Sequence, residues 1–131
     1  MRLRDYPMTP VIARRTLDYR PKKGRSRVVL LEVGRPARDP RDPAGWYCPY
    51  RISGVGRTRK FVIEGGDSLQ ALILALAALS KDIMGWNNRE RALSWDGDRH
   101  WLGLQVHRAL DAEVQQIARG LPKRRRQSES N

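Results

Sequence analysis

The chain has one cysteine, Cys48, and two histidines, His100 and His107. A single cysteine excludes an intramolecular disulfide and any zinc cluster built on several cysteines. The histidines lie seven apart, and neither H-x-x-x-H nor H-E-x-x-H occurs. No Gly-x-x-x-x-Gly-Lys phosphate loop is present. Gly54-Val55-Gly56 lacks the third glycine and the strand-to-helix setting of a dinucleotide site. Gly65-Gly66 precedes a helix, but Asp67 at its cap repels phosphate. Asp96-Gly97-Asp98 is too short for a calcium loop and reads as a turn. The residues therefore predict no metal, no cofactor and no catalytic residue. Two groups of residues stand against this. His100 with Asp98 has the chemistry of a general acid–base pair. A turn explains both residues, so a small hydrolase is the remotest reading. Cys48 falls on the apolar side of a strand, as a small buried hydrophobe does; a reactive thiol is the alternative.

Long hydrophobic runs are also scarce. The uncharged run Ser68–Ser80 is shorter than the roughly 20 apolar residues that span a bilayer. No hydrophobic segment opens the chain, so no signal peptide is expected. Cytoplasmic location and no membrane partner follow as expectations.

Positive charge, by contrast, is abundant. The 131 residues carry a formal charge of +12. Residues 1–60 hold 16 Lys/Arg against 5 Asp/Glu, residues 61–118 hold 5 against 8, and the last 13 residues hold 5 against 1. A basic front half and a basic tail flank a slightly acidic middle. Such a front half suits a polyanion or an acidic protein surface, or serves solubility alone.

The length fits one domain, expected over 1–121, with 122–131 a basic, disordered tail. The stretch Asp67–Trp86 organises it. Leu69, Leu72, Ile73, Leu76, Leu79 and Ile83 recur at helical spacing and predict the buried stripe of a helix from Asp67 to about Met84. Asp67 and Gln70 have the spacing of a capping box, and Gly85 is a plausible stop. The other face, with Ala71, Leu74, Ala75, Ala77 and Ala78, is hardly polar, so this helix calls for cover on more than one side.

Alternation predicts strands at Val11–Arg20, Arg27–Val33, Trp46–Ser53 and Arg57–Glu64. Arg27–Val33 is apolar on nearly both faces and reads as central. Pro49 favours an edge or a bulge for the third strand. Arg35–Gly45, with three prolines, reads as a surface loop. Ala92–Leu104 around Asp96-Gly97 reads as a short hairpin, and Arg108–Gly120 as a second helix. The expected fold class is α+β: an antiparallel four-stranded meander packed by one long helix, with the small hairpin and the second, C-terminal helix.

Two basic groups stand out. Arg20, Lys22, Lys23, Arg25 and Arg27 cluster at one hairpin end, and Arg57, Arg59 and Lys60 near another, at the start of the fourth strand. In a meander the first and third connections share one sheet end, so the groups can form one patch. Lys123, Arg124, Arg125 and Arg126 can grip phosphate without sequence preference. No RNP-like aromatic motif and no basic recognition helix is visible. The leading expectation is a small noncatalytic binding or adaptor domain for an acidic protein surface, because Arg35, Arg38 and Arg41 alternate with Asp39 and Asp42, which blunts attraction for phosphate. The runner-up is sequence-nonspecific nucleic-acid binding through the basic hairpins and tail.

The pieces IARRTLDY, VVLLEVGRP, WYCPYRI and DSLQALILAL, in that order, resemble a small bacterial family of uncharacterised domains. The resemblance covers Ile12 to Ile83, and W-x-C-P-Y at Trp46–Tyr50 followed by Asp67 and Gln70-Ala71-Leu72 is its most distinctive part. It implies a compact strand-then-helix domain in a bacterial cytoplasm, and assigns no catalytic residue.

Overall fold

The structure is a computed structural model that describes residues 3–104. Its strands are β1 (Val11–Tyr19), β2 (Arg27–Gly34), β3 (Ala37–Asp39), β4 (Asp42–Ser53), β5 (Arg59–Gly65) and β6 (Leu93–Ser94). One long helix, α1 (Ser68–Glu90), follows β5. All six strands form one antiparallel sheet in the order β3-β4-β2-β1-β6, with β5 also paired to β4.

The fold is α+β, but it is not the four-stranded meander expected. Two strands come from stretches read otherwise. Arg35–Gly45, read as a loop, supplies β3 and the start of β4. The Asp39 carboxylate accepts the Arg41 N–H at 2.8 Å and that of Asp42 accepts the Ala44 N–H at 3.1 Å. These local bonds close a hairpin tip around Pro40. β6 comes from the expected small hairpin. Its turn does form, with Trp95 bridged to Asp98 and both Asp96 and Gly97 at positive φ. However, Leu93 and Ser94 pair with Tyr19 and Asp18 of β1 rather than with a second hairpin strand.

Pro49 does not mark an edge, because β4 is central. β5 lies along one side of β4; β2 and β3 share the other, pairing at Tyr50–Ser53 and at Asp42–Tyr47. Pro49 sits at the junction between them, where no ladder partner is lost.

The helix starts as its spacing predicts. Asp67 accepts the Gln70 N–H at 2.7 Å, and Gln70 accepts that of Gly66 at 2.6 Å. It does not stop at Gly85. It runs to Arg91, which is left-handed, and the Asn87 side chain accepts the Ala92 and Leu93 N–H groups there. At this length α1 is long and apolar enough to cross a bilayer, yet one side of it packs on the sheet. The described residues hold this one α-helix; the second helix, expected at Arg108–Gly120, lies outside them.

The packed side takes only part of the leucine stripe: Leu79 and Ile83, with Leu72 packed partly against them. Ala71, Leu74, Ala75, Ala78, Leu79 and Ile83 are buried, whereas Leu69, Ile73 and Leu76 are 63%, 39% and 43% exposed. Close approach decides this. A Cβ at Gly65 would lie 2.5 Å from the Ala71 nitrogen, so the chain turns tightly from β5 into the helix and only small residues fit against it. Leu74, Leu79 and Ile83 then meet Leu17, Val29, Leu31, Val33, Cys48 and Tyr50 from the sheet.

The opposite sheet face is covered by the N-terminal segment. Tyr6 is buried edge-on to Tyr47 at 5.1 Å and packs near Val62. The Lys60 ammonium donates to the Leu3 and Tyr6 carbonyls at 2.9 and 2.7 Å, which ties a short 3-10 turn (Leu3–Asp5) to β5.

Candidate functional site

The ladders fix which loops are neighbours. Tyr19 faces Arg27, Leu30 faces Ser53 and Ile52 faces Arg59. The β1–β2 and β4–β5 loops therefore lie at one end of the sheet. α1 begins at the other end and returns to this one, where Trp86 packs edge-on to Tyr19 at 5.3 Å. Gly54, with φ +99° and a would-be Cβ 2.3 Å from the Val28 carbonyl, lets the second loop hug the start of β2.

Arg20, Lys22, Lys23, Arg25, Arg57 and Arg59 all stand at this end, on the two loops and the strands beside them. Arg89, from the last turn of α1, was not anticipated and joins them. Among the described residues these side chains make no hydrogen bond, ion pair or ring contact. Lys60 does not belong to the group, since it points to the other face and holds the N-terminal segment. Lys123, Arg124, Arg125 and Arg126 lie outside the described residues. Arg89 carried a weak signal: a cation in the last helical turn is ordinary dipole complementation, and only the longer helix makes it a neighbour of Arg57.

Between the β4–β5 end and the last turns of α1 lies a cleft of about 280 Å³. Ile52 and Phe61 line it from the sheet, Val55 from the β4–β5 loop, Ile83 and Trp86 from the helix, and the exposed Arg57, Arg59 and Arg89 border it. Phe61 stacks on Tyr50 at 4.8 Å and 15°. The Tyr50 hydroxyl donates to Asp82 Oδ2 at 2.5 Å, and Asp82 also lines the cleft. Desolvation raises the Asp82 pKa, against the hydrogen bond from Tyr50 and the charge of Lys81. Burial, with Asp82 nearby, holds the Tyr50 phenol protonated well above its ordinary range.

A second polar group lies on the opposite face. The Asp39 and Glu64 carboxyls lie close enough to shift each other's protonation, Glu64 upward and Asp39 downward, and the Tyr6 hydroxyl donates to Glu64 at 3.2 Å. Its visible work is anchoring: Tyr47 donates to the Pro7 carbonyl at 2.8 Å, and Arg41 reaches Asp5 at 3.7 Å. Among the described residues no group of three or more His, Cys, Asp and Glu side chains is placed to hold a metal.

Of the residues read as remote chemical candidates, Asp98 and Cys48 take structural places, whereas the exposed His100 side chain lines a separate cleft with Met84, Asn87, Arg91 and Arg99. Asp98 accepts the backbone N–H groups of His100 and Trp101 at 2.8 and 3.1 Å, closing a turn. Cys48 is fully buried, its thiol donates to the Gly34 carbonyl at 3.3 Å, and desolvation pushes its pKa up to about 11. His107 lies outside the described residues.

The family model for a domain of unknown function (DUF6968) matches residues 13–106, and the chain belongs to that family. The match extends past Ile83, where the resemblance seen in the sequence ends, and takes in the end of α1 and β6. No curated protein and no solved structure matches the chain.

Proposed function

We propose that this member of the family is a noncatalytic nucleic-acid-binding domain that holds a single strand at the basic end of its sheet. One observation carries the reading: Arg20, Lys22, Lys23, Arg25, Arg57, Arg59 and Arg89 converge there with no internal partner among the described residues. Clustered like charges repel, and a phosphate backbone relieves that repulsion while releasing counterions. The aromatic rings beside them suit unpaired bases.

The reading that led on sequence grounds, an acidic protein partner, rested on the Arg35–Gly45 stretch. There Arg41 pairs with Asp5, and Arg38 lies 4.7 Å over the Trp46 ring and donates to the Pro43 carbonyl at 3.3 Å. Arg38 thus serves the β3–β4 hairpin and Arg41 ties it to the N-terminal turn, which weakens that reason for preferring a protein. The noncatalytic part is supported by the structural places of Asp98 and Cys48. The same reading sets the protein in a bacterial cytoplasm, where Cys48 stays a thiol.

The test is anisotropy with labelled single-stranded RNA and DNA and with duplex DNA, in a salt series. Affinity for the single strands should fall about 100-fold between about 50 and 200 mM salt if roughly five phosphates are contacted. Reversing charge at Lys22, Lys23, Arg57 and Arg59 should abolish it. No binding at low salt, or equal competition by a polyglutamate of matched charge, contradicts the reading.

A further inference from the structure

We infer that the cleft between the β4–β5 end and the last turns of α1 receives one unpaired base, stacked on Phe61, while Arg57, Arg59 and Arg89 hold the flanking phosphates. This rests on the nucleic-acid reading above and adds to it a specific pocket and a stacking residue.

The argument starts from the mismatch between wall and border. The walls are apolar: Ile52, Val55, Phe61, Ile83 and Trp86. The border carries three arginines with no partner among the described residues. An occupant therefore needs a flat or apolar part to enter and negative charge that stays at the mouth. A nucleotide within a strand has both. At about 280 Å³ the cleft lies just below the roughly 300–1,000 Å³ of pockets for drug-sized ligands, so it fits one planar group rather than a large cofactor.

Phe61 is prepared as the platform. One ring face lies parallel to Tyr50 at 4.8 Å, and Tyr50 is held from the other element by its hydrogen bond to Asp82. The sheet and the helix thus fix the stack together before any ligand arrives, which lowers the ordering cost of binding. Asp82 also places a carboxyl in the cleft and so disfavours a phosphate there. The phosphate is left to the arginines.

An acidic peptide inserting one apolar side chain is the competing occupant. It gains nothing from a ring as opposed to an aliphatic group of similar size. A base does, because stacking on an aromatic side chain is a recurring source of affinity for single strands.

The test uses the full chain and two polyanions, a labelled single-stranded RNA and inorganic polyphosphate, which has no bases. Phe61→Leu should weaken RNA binding about tenfold and leave polyphosphate binding and the salt dependence of both unchanged. Equal effects on both polyanions, or no effect on RNA, would overturn the pocket while leaving the basic end standing as a phosphate site. Failure of the wild-type chain to bind either polyanion would overturn both. A second measurement needs no variant: methyl NMR of Ile52, Val55 and Ile83 during titration with a nucleoside monophosphate. Upfield ring-current shifts with the nucleotide, absent with inorganic pyrophosphate, are expected. No such difference, or displacement of RNA from the cleft methyls by a glutamate-rich peptide carrying one leucine, would contradict a base pocket.

Discussion

Two sets of arginines occupy this small protein, and they differ in what they touch. Arg15, Arg27, Arg38, Arg41 and Arg51 are engaged, Arg27 lying 5.4 Å over the Tyr19 ring at the basic end itself. Arg15 donates to the Leu102 carbonyl at 2.6 Å and lies 3.8 Å over Trp95, and Arg51 pairs with the buried Glu32 at 2.9 Å. Arg20, Arg25, Arg57, Arg59 and Arg89 have no partner among the described residues. The same residue type therefore serves the fold in one place and remains available in another. Net charge alone cannot tell the two apart. The faces of α1 repeat the lesson in apolar form, with Leu74 packed and Leu76 substantially open to solvent.

The largest expected effect sharpens the helix comparison. Leu74→Ala should lower unfolding free energy by about 2–5 kcal/mol, and Leu76→Ala by less than about 1 kcal/mol. Urea denaturation of the two variants checks this; equal losses would show that Leu76 is packed after all.

Next comes Arg51→Ala. It strips the partner from Glu32, which is only 7% exposed. Breaking a fully buried pair costs about 3–5 kcal/mol; because the Arg51 side chain is 34% exposed, about 2–3 kcal/mol is expected. Arg59→Ala should change stability by less than about 0.5 kcal/mol and still weaken RNA binding. A destabilisation by Arg59→Ala as large as that by Arg51→Ala would erase the distinction between the two sets.

A smaller effect concerns pH. Glu64 is raised above its ordinary value by the hydrogen bond to Asp39, then by burial and the Asp39 charge. Burial pushes Asp39 up as well, but hydrogen bonds from Glu64 and from the Arg41 N–H outweigh it and leave Asp39 low. A raised folded-state value contributes stability in full below the ordinary carboxylate range and loses it as pH rises through the folded value. A lowered one contributes above the ordinary range and loses it as pH falls. The pair is thus most stabilising in mildly acidic solution. Glu64→Gln should flatten the upper limb, so that its Tm relative to wild type improves from about pH 4.5 to neutrality. A relative Tm that declines over that interval would mean that Glu64 gains from being charged.

Much of the sheet was legible. Trp46, Cys48, Tyr50 and Ile52 share the core face, and Val29, Leu31 and Val33 share it too, because alternation in a half-buried strand is strict. The shared sheet end of the two basic loops followed from antiparallel connectivity. The buried face of α1 was legible only in part, through Leu72, Leu79 and Ile83. Both faces are apolar, and the choice was made by the Gly65–Ala71 approach, a contact that periodicity does not encode. The β3–β4 hairpin was hidden by its prolines, which mark loops on average but here flank a tip closed by Asp39. The cleft was invisible because Phe61, Trp86 and Arg89 come from separate elements, and because Gly85 looked like a helix stop. Lys60 looked like its basic neighbours, yet strand parity sends it to the opposite face.

The most direct measurement compares two charge-matched double variants. Arg57→Gln/Arg59→Gln and Arg38→Gln/Arg41→Gln each remove two positive charges, one pair from the open end and one from the β3–β4 hairpin. Single-stranded RNA affinity is measured for both across a salt series, with folding verified by circular dichroism. The account predicts that the first pair weakens binding and reduces the slope of log K against log salt by about 1.4, roughly 0.7 for each lost phosphate contact, while the second pair leaves the slope unchanged. Equal losses of affinity and equal slopes would contradict it, because binding would then follow overall charge and not the unpartnered arginines at one end of the sheet.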